Sequence, residues 1–273
     1  MTNQASALPG VKHIIAVGSG KGGVGKSTTA MNLAVALSVQ GLKVGLLDAD
    51  VYGPSVPQMM GVKKAPHSED GKTIVPAYAH GVKVMSMGFL VEDDSPMIWR
   101  GPLVQSALMQ MLKDVSWAPL DVLVLDMPPG TGDTQISLAQ NAQLSGAIIV
   151  STPQSVALQD ARKGLNMFKK VNIPILGMVE NMSSFICPNC AHESHIFSHG
   201  GGRDMAKDLG VDLLAEIPLD VEVRELTDSG KPLVVAAPDS KVADVYRKLA
   251  KAVWDKLQQP KGSVKIVIEE EAS

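Results

Sequence analysis

The stretch GKGGVGKS, Gly20–Ser27, constrains this chain more than any other eight residues. It follows an apolar β-rich run, HIIAVG at 13–18, and precedes a helical pattern over Lys26–Gln40. It matches G-x-x-x-x-G-K-[ST] in the strand-to-helix setting that this motif requires. Gly20, Gly22, Gly23 and Gly25 let the backbone close around an anion, so the N–H groups from Gly20 through Val24 and Gly25 to Ser27 point inward. The helix that begins at Lys26 adds the positive end of its dipole. Lys26 is expected to pair with the β- and γ-phosphates of a nucleotide, and Ser27 to hold Mg²⁺ through its hydroxyl. Such a loop works only where a buried strand runs straight into a helix, so the chain is committed to α/β architecture.

The rest of the sequence keeps that rhythm. KVGLLD (43–48), DVLVLD (121–126), GAIIVST (146–152) and IPILGMVEN (173–181) are nearly continuous in Val, Ile and Leu and read as strands buried on both faces. Helical patterns over Pro102–Lys113, Thr134–Gln143 and Val156–Lys170 separate them. A short helix over Arg203–Leu209, a strand near Leu213–Ile217 and an amphipathic helix over Lys241–Leu257 complete the series. The expected fold is a doubly wound, mostly parallel sheet of the P-loop NTPase type. Residues 11–258 are expected to form one domain, preceded by a flexible N-terminus (1–10) and followed by a charged, frayed tail (259–273), with an edge strand at VKIVI as the alternative. TIVPAYA and VKVMSMG, around His80-Gly81, read as a hairpin excursion within 61–96, and residues 182–202 as a loop.

Charge excludes some partners. With 25 basic against 28 acidic residues the net charge is −3, which offers no footprint for nucleic acid or an anionic membrane. There is no 18-residue apolar run, and Met1–Gly10 lacks the basic start and apolar stretch of a secretory leader, so a cytoplasmic protein is expected.

Two further elements carry acids. In VLDMPPGTGD, Asp126 ends an apolar strand, where a Walker B carboxylate that partners Mg²⁺ belongs; Gly130 and Gly132 then allow a loop that senses the γ-phosphate. In LLDADVYGPS, Asp48 and Asp50 stand at the C-terminal end of the second strand, and Asp50 is placed to orient an attacking water. The chain's two cysteines, Cys187 and Cys190, stand two residues apart in FICPNCAHESH. Tetrahedral zinc and iron-sulfur sites take four ligands, so one chain holds half a site. A chain that pairs about a two-fold axis needs to supply only half of such a site, and spacing alone does not choose between zinc and iron-sulfur. His192, His195 and His199 lie close by and read as solvated, with a mononuclear zinc site as the alternative.

KGGVGKST with Lys21 resembles the deviant Walker A class, which includes the septum-site and nitrogenase iron-protein ATPases. DADVYGPS, MIWRGPLVQSAL, DMPPGTGD and the CPNC turn together resemble the Mrp/ApbC-type iron-sulfur cluster carrier ATPases, from about Val11 to about Lys256. The resemblance implies a homodimer that hydrolyses ATP with Mg²⁺ and passes a labile [4Fe-4S] cluster, bound by Cys187 and Cys190 at the dimer interface, to apo-proteins. It makes Lys21 the signature lysine that reaches the partner's nucleotide, Asp50 the switch I aspartate and Asp126 the Walker B aspartate. Thr28 touches the α-phosphate and Asn181 the adenine. Many relatives carry an extra N-terminal module; about ten residues precede the first strand here, so docking to scaffold proteins through that module is expected to be absent or supplied in trans. The rival reading is a MinD- or ParA-like positioning ATPase with a structural zinc at the CxxC. A nitrogenase-like reductase needs two well-separated cysteines, which the CxxC spacing does not offer.

Overall fold

The computed structural model describes residues 8–51, 53–90, 101–190 and 192–259. The expectations for residues 1–7, for 91–100, where MIWRGPLVQSAL begins, and for VKIVI in the tail lie outside the described residues. The chain begins with β1 (Val11–Ser19), α1 (Lys26–Val39) and β2 (Val44–Asp48). Then come α2 (Val56–Met59), β3 (His67–Ser68), β4 (Ile74–Val75), β5 (Ala77–Ala79) and β6 (Val82–Ser86). The middle of the chain supplies α3 (Gly101–Lys113), β7 (Leu120–Asp126), α4 (Asp133–Asn141), β8 (Gly146–Ser151), α5 (Ser155–Lys170) and β9 (Ile175–Ile186). It ends with β10 (Glu193–Ser194), α6 (Gly201–Leu209), β11 (Leu213–Leu219), α7 (Val221–Asp228), α8 (Leu233–Ala236) and α9 (Lys241–Gln258).

The main sheet has the order β10-β9-β8-β1-β7-β2-β6-β5, with β11 also pairing with β9. β5 and β10 are antiparallel to their neighbours, and the other pairings are parallel. The central strands alternate their side chains between two cores. Ile15, Val17, Val44, Leu46, Val122 and Val124 pack with α1 and α9, whereas Ile14, Ala16, Leu47, Leu123 and Leu125 pack toward α3, α4 and α5. Each such fully buried aliphatic side chain contributes about 1.5–3 kcal/mol, which is why the middles of these strands lack polar residues. Among the described residues no helix is long and apolar enough to cross a membrane.

Two expectations need correction. The hairpin about His80-Gly81 is present, but it is not an excursion: β6 lies parallel to β2 as a member of the main sheet, and its Val82 and Val84 are fully buried. Pro76, which has no N–H to give to a ladder, splits TIVPAYA, so that β4 pairs with β3 while β5 pairs with β6. The fifth strand does not stop at Asn181 either. β9 continues through MSSFI to Ile186 and pairs with β10, so the cysteine segment is the tip of a hairpin. Polar Ser183 and Ser184 hid that extension from a search for apolar runs.

Candidate functional site

The site is built on the C-terminal ends of β1, β2 and β7. Register places Val17 beside Asp126 and Asp126 beside Asp48, so the loop after β1 rises next to two carboxylates. Gly25 has φ +81, a left-handed conformation that favours glycine, and a Cβ there would overlap the Asn181 amide. Gly23 shares the left-handed backbone, at φ +79, but a Cβ there would meet open space, so conformation alone calls for glycine. Gly20 is small for another reason: a Cβ would run into the backbone of Asp160 on α5. The Ser19 hydroxyl donates to the Lys21 carbonyl (2.9 Å), and Gly130, at φ +97, donates its N–H to the Ser19 carbonyl (3.0 Å). The two glycine loops are thereby tied together.

Lys26 is 6% exposed and its Nζ lies 2.6 Å from Oδ1 of Asp126, which is fully buried; Nζ also reaches the Ser27 hydroxyl at 3.1 Å. Burial raises the Asp126 pKa above the usual carboxylate range, against the pull of Lys26. Its other oxygen, Oδ2, is buried without a hydrogen-bond partner. An orphaned carboxylate oxygen in a pocket with a serine hydroxyl is a hard-oxygen donor set, so Ser27 and Asp126 fit a Mg²⁺ ion.

Asp48 does more than its position in the sequence suggested. It is fully buried, and its carboxylate accepts from the backbone N–H of Asp50 (3.1 Å) and of Val56 (3.2 Å) and from the Ser86 hydroxyl (2.9 Å). It therefore pins both ends of the loop that carries Asp50. Asp50 is 9% exposed and, with Lys21, Gly22, Gly23, Lys26 and Ser27, lines a cleft of about 250 Å³. Only the sheet register, which no local pattern announces, makes Asp48 the buried partner of the pair.

Desolvation, reinforced by Asp126, raises the Asp48 pKa to about 7. A carboxyl that holds its proton more tightly when folded stabilises the fold at acid pH, and that contribution is lost as pH rises from about 4 through about 7. Nucleotide-free protein should accordingly be less stable to urea at pH 8 than at pH 5, by on the order of 2 kcal/mol. Asp48→Asn should narrow the gap without closing it, since Asp126 and Glu180 are also raised by burial. Equal denaturation midpoints at the two pH values would contradict this assignment.

Gly25 and Thr28 border a second cleft as well, about 480 Å³, walled by Asn181, Met182, Pro218 and Asp220. Sequence reasoning found Asn181 but not Pro218 or Asp220, which lie at the end of β11 and just beyond it and carry no motif of their own. Asn181 stands on β9, and its Nδ2 donates to the Val24 carbonyl (2.9 Å).

Six residues further along the chain, just past the end of β9, is Cys187. It is half-buried, Cys190 is exposed, and the Cys187 N–H donates to the His192 carbonyl (2.9 Å) across the hairpin tip. Backbone N–H groups of Cys190 and Asn189, together with the Cys190 thiol, hold the Cys187 thiol below its ordinary pKa. His195 and His199 face each other with their Nδ1 atoms 3.3 Å apart, and Ser183 O lies 3.2 Å from His195 Nδ1. Among the described residues, no three His, Cys, Asp or Glu side chains form a group that could hold a metal ion.

A glycine loop between a parallel strand and a helix, its lysine set against the carboxylate of the adjacent strand, defines a P-loop NTPase. Within that class the chain belongs to the family described as the NUBPL iron-transfer P-loop NTPases, whose family model matches residues 10–254. An iron-sulfur cluster carrier protein of Pseudomonas fragi is 55% identical over 249 residues, covering 90% of this chain and 87% of that protein. An iron-sulfur protein of Arabidopsis thaliana, mitochondrial and required for NADH dehydrogenase, is 57% identical over 253 residues, covering 92% and 81%. Among solved structures, a nucleotide-binding protein of Archaeoglobus fulgidus in complex with ADP, in which cobalt was found, superposes with a TM-score of 0.75 at 36% identity, covering 86% of this chain and 92% of that one.

Proposed function

We propose that this protein is a homodimeric, Mg²⁺-dependent ATPase of the cytoplasm that carries a [4Fe-4S] cluster between two copies of its CxxC and delivers it to apo-proteins. The observation that carries the reading is the path of β9: one strand touches the phosphate loop through Asn181 and leads directly into Cys187. The relatives' names supply the cargo, and each chain's two thiols supply half of the four ligands that such a cluster takes. The triphosphate occupies the smaller cleft and the base the larger. Lys26 leaves Asp126 for the β- and γ-phosphates, Ser27 and Asp126 hold Mg²⁺, and Thr28 meets the α-phosphate. When bound, Mg²⁺ neutralises charge on the phosphate oxygens. Asp50 orients the attacking water, and Lys21 reaches across the two-fold axis to the partner's nucleotide.

Anaerobic reconstitution with iron and sulfide tests the carrier reading. About four irons and four sulfides per two chains, with a visible charge-transfer band, are expected. One tightly held zinc per chain and no such band would replace this reading with a structural zinc site.

A further inference from the structure

Between Asn181 and the cysteines lies a residue whose backbone is out of place. Met182 has φ +57, a left-handed conformation that a bulky side chain rarely adopts. The register is broken there: β9 advances from Asn181 to Phe185 while β11 advances only from Ile217 to Leu219. The pairing of β9 with β8 ends at Glu180, and its pairing with β10 begins at Phe185. Met182 thus sits in a bulge with few ladder partners, and it lines the larger cleft beside Asn181.

Everything before the bulge is anchored. Asn181 is bonded to Val24 in the phosphate loop, and the buried carboxylate of Glu180, on the opposite face of β9, accepts from the N–H of Gly202 in α6. A Cβ at Gly202 would overlap that carboxylate, so the fit is close. Everything after the bulge belongs to the cysteine hairpin. Strained backbone persists only where surrounding structure over-determines it, and it concentrates at sites that change state.

We propose that Met182 is a positioning residue: its strained bulge converts a nucleotide-induced shift of the phosphate loop and Asn181 into a change in the placement of Cys187 and Cys190. This rests on the assignment of the larger cleft to the nucleotide base. The chain acts here within itself, without a second copy. An ordinary residue at φ +57 relaxes when the strand straightens, so the bulge has two unequal states that nucleotide can bias. Glycine accepts both signs of φ and removes that bias.

The test uses reduced, cluster-free protein, in which Cys187 and Cys190 are the only thiols. Their reaction with an aromatic disulfide reagent is timed with and without Mg-ADP, each variant being saturated at its own affinity. Wild type should change its rate about threefold or more on adding nucleotide, equally at high and low protein concentration. Met182→Gly should lose that response, and Met182→Ala, which keeps the strained φ, should retain it. A wild-type rate indifferent to nucleotide, a response that grows with protein concentration as dimer shielding would, or a full response in Met182→Gly each overturns the proposal. Because no cluster is present, these outcomes are independent of whether iron and sulfide load the protein.

Discussion

Cys187→Ala and Cys190→Ala are each expected to abolish cluster retention, leaving iron and sulfide near background after anaerobic reconstitution. The chain has two cysteines in all, so either substitution leaves one thiolate per chain and two per pair, against the four that a [4Fe-4S] cluster needs. Partial occupancy is not the expectation, because removing half the ligands of a cluster leaves irons open to water and chelators. Neither cysteine borders the two clefts assigned to the nucleotide, so the variants should bind Mg-ADP with wild-type affinity. Wild-type protein should also gain dimer on loading, since ligands shared by two chains add metal-binding energy to association. Sedimentation before and after reconstitution reads this directly. Retention of a full cluster by either single variant would rule out a site shared in this way.

The second large effect belongs to the phosphate loop. Lys26→Ala removes the cation that the fold buries against Asp126. Lys26 is also the residue assigned to the β- and γ-phosphates, and truncating one partner of a buried, hydrogen-bonded charge pair costs about 2–5 kcal/mol, so Mg-ATP binding should weaken by roughly 30-fold or more, with turnover lost. The nucleotide-free variant keeps a carboxyl in an apolar site without its cation, and that carboxyl must take up a proton. Its thermal stability should therefore fall further below wild type at pH 8 than at pH 6. Asp50→Ala should separate the two steps: binding stays close to wild type while turnover drops by about 100-fold, the loss expected for a group that positions the nucleophile. Calorimetric titration and phosphate release measure the two halves. Normal turnover in Asp50→Ala would remove that residue from the mechanism.

Much of this protein was legible from local sequence. Gly20–Ser27 identified its own loop because the motif works only between a strand and a helix, and β1, β2, β7, β8 and helices α1, α3 and α4 followed from nearly continuous Val, Ile and Leu runs alternating with helical periodicity. Local pattern misled where pairing decides structure. Pro76 divided a run that read as one strand, and β6 joined the main sheet through β2, about forty residues away. The MSSFI end of β9 is a strand because β10 completes its ladder, not because its residues are apolar.

The site divides along the same line. Lys26, Ser27, Asp126 and the two cysteines announce themselves by spacing, since the chemistry assigned to them requires those residue types at those intervals. That Asp48 is the buried anchor and Asp50 the cleft residue depends on which strand end lies beside Asp126, and the sequence contains no record of strand order. The same holds for Glu180 beneath α6, for Pro218 and Asp220 in the larger cleft, and for the left-handed Met182. Chemistry that one residue or one turn carries is written locally. Burial, register and strain arise only when distant segments compete for the same space, so they exist only in the folded chain.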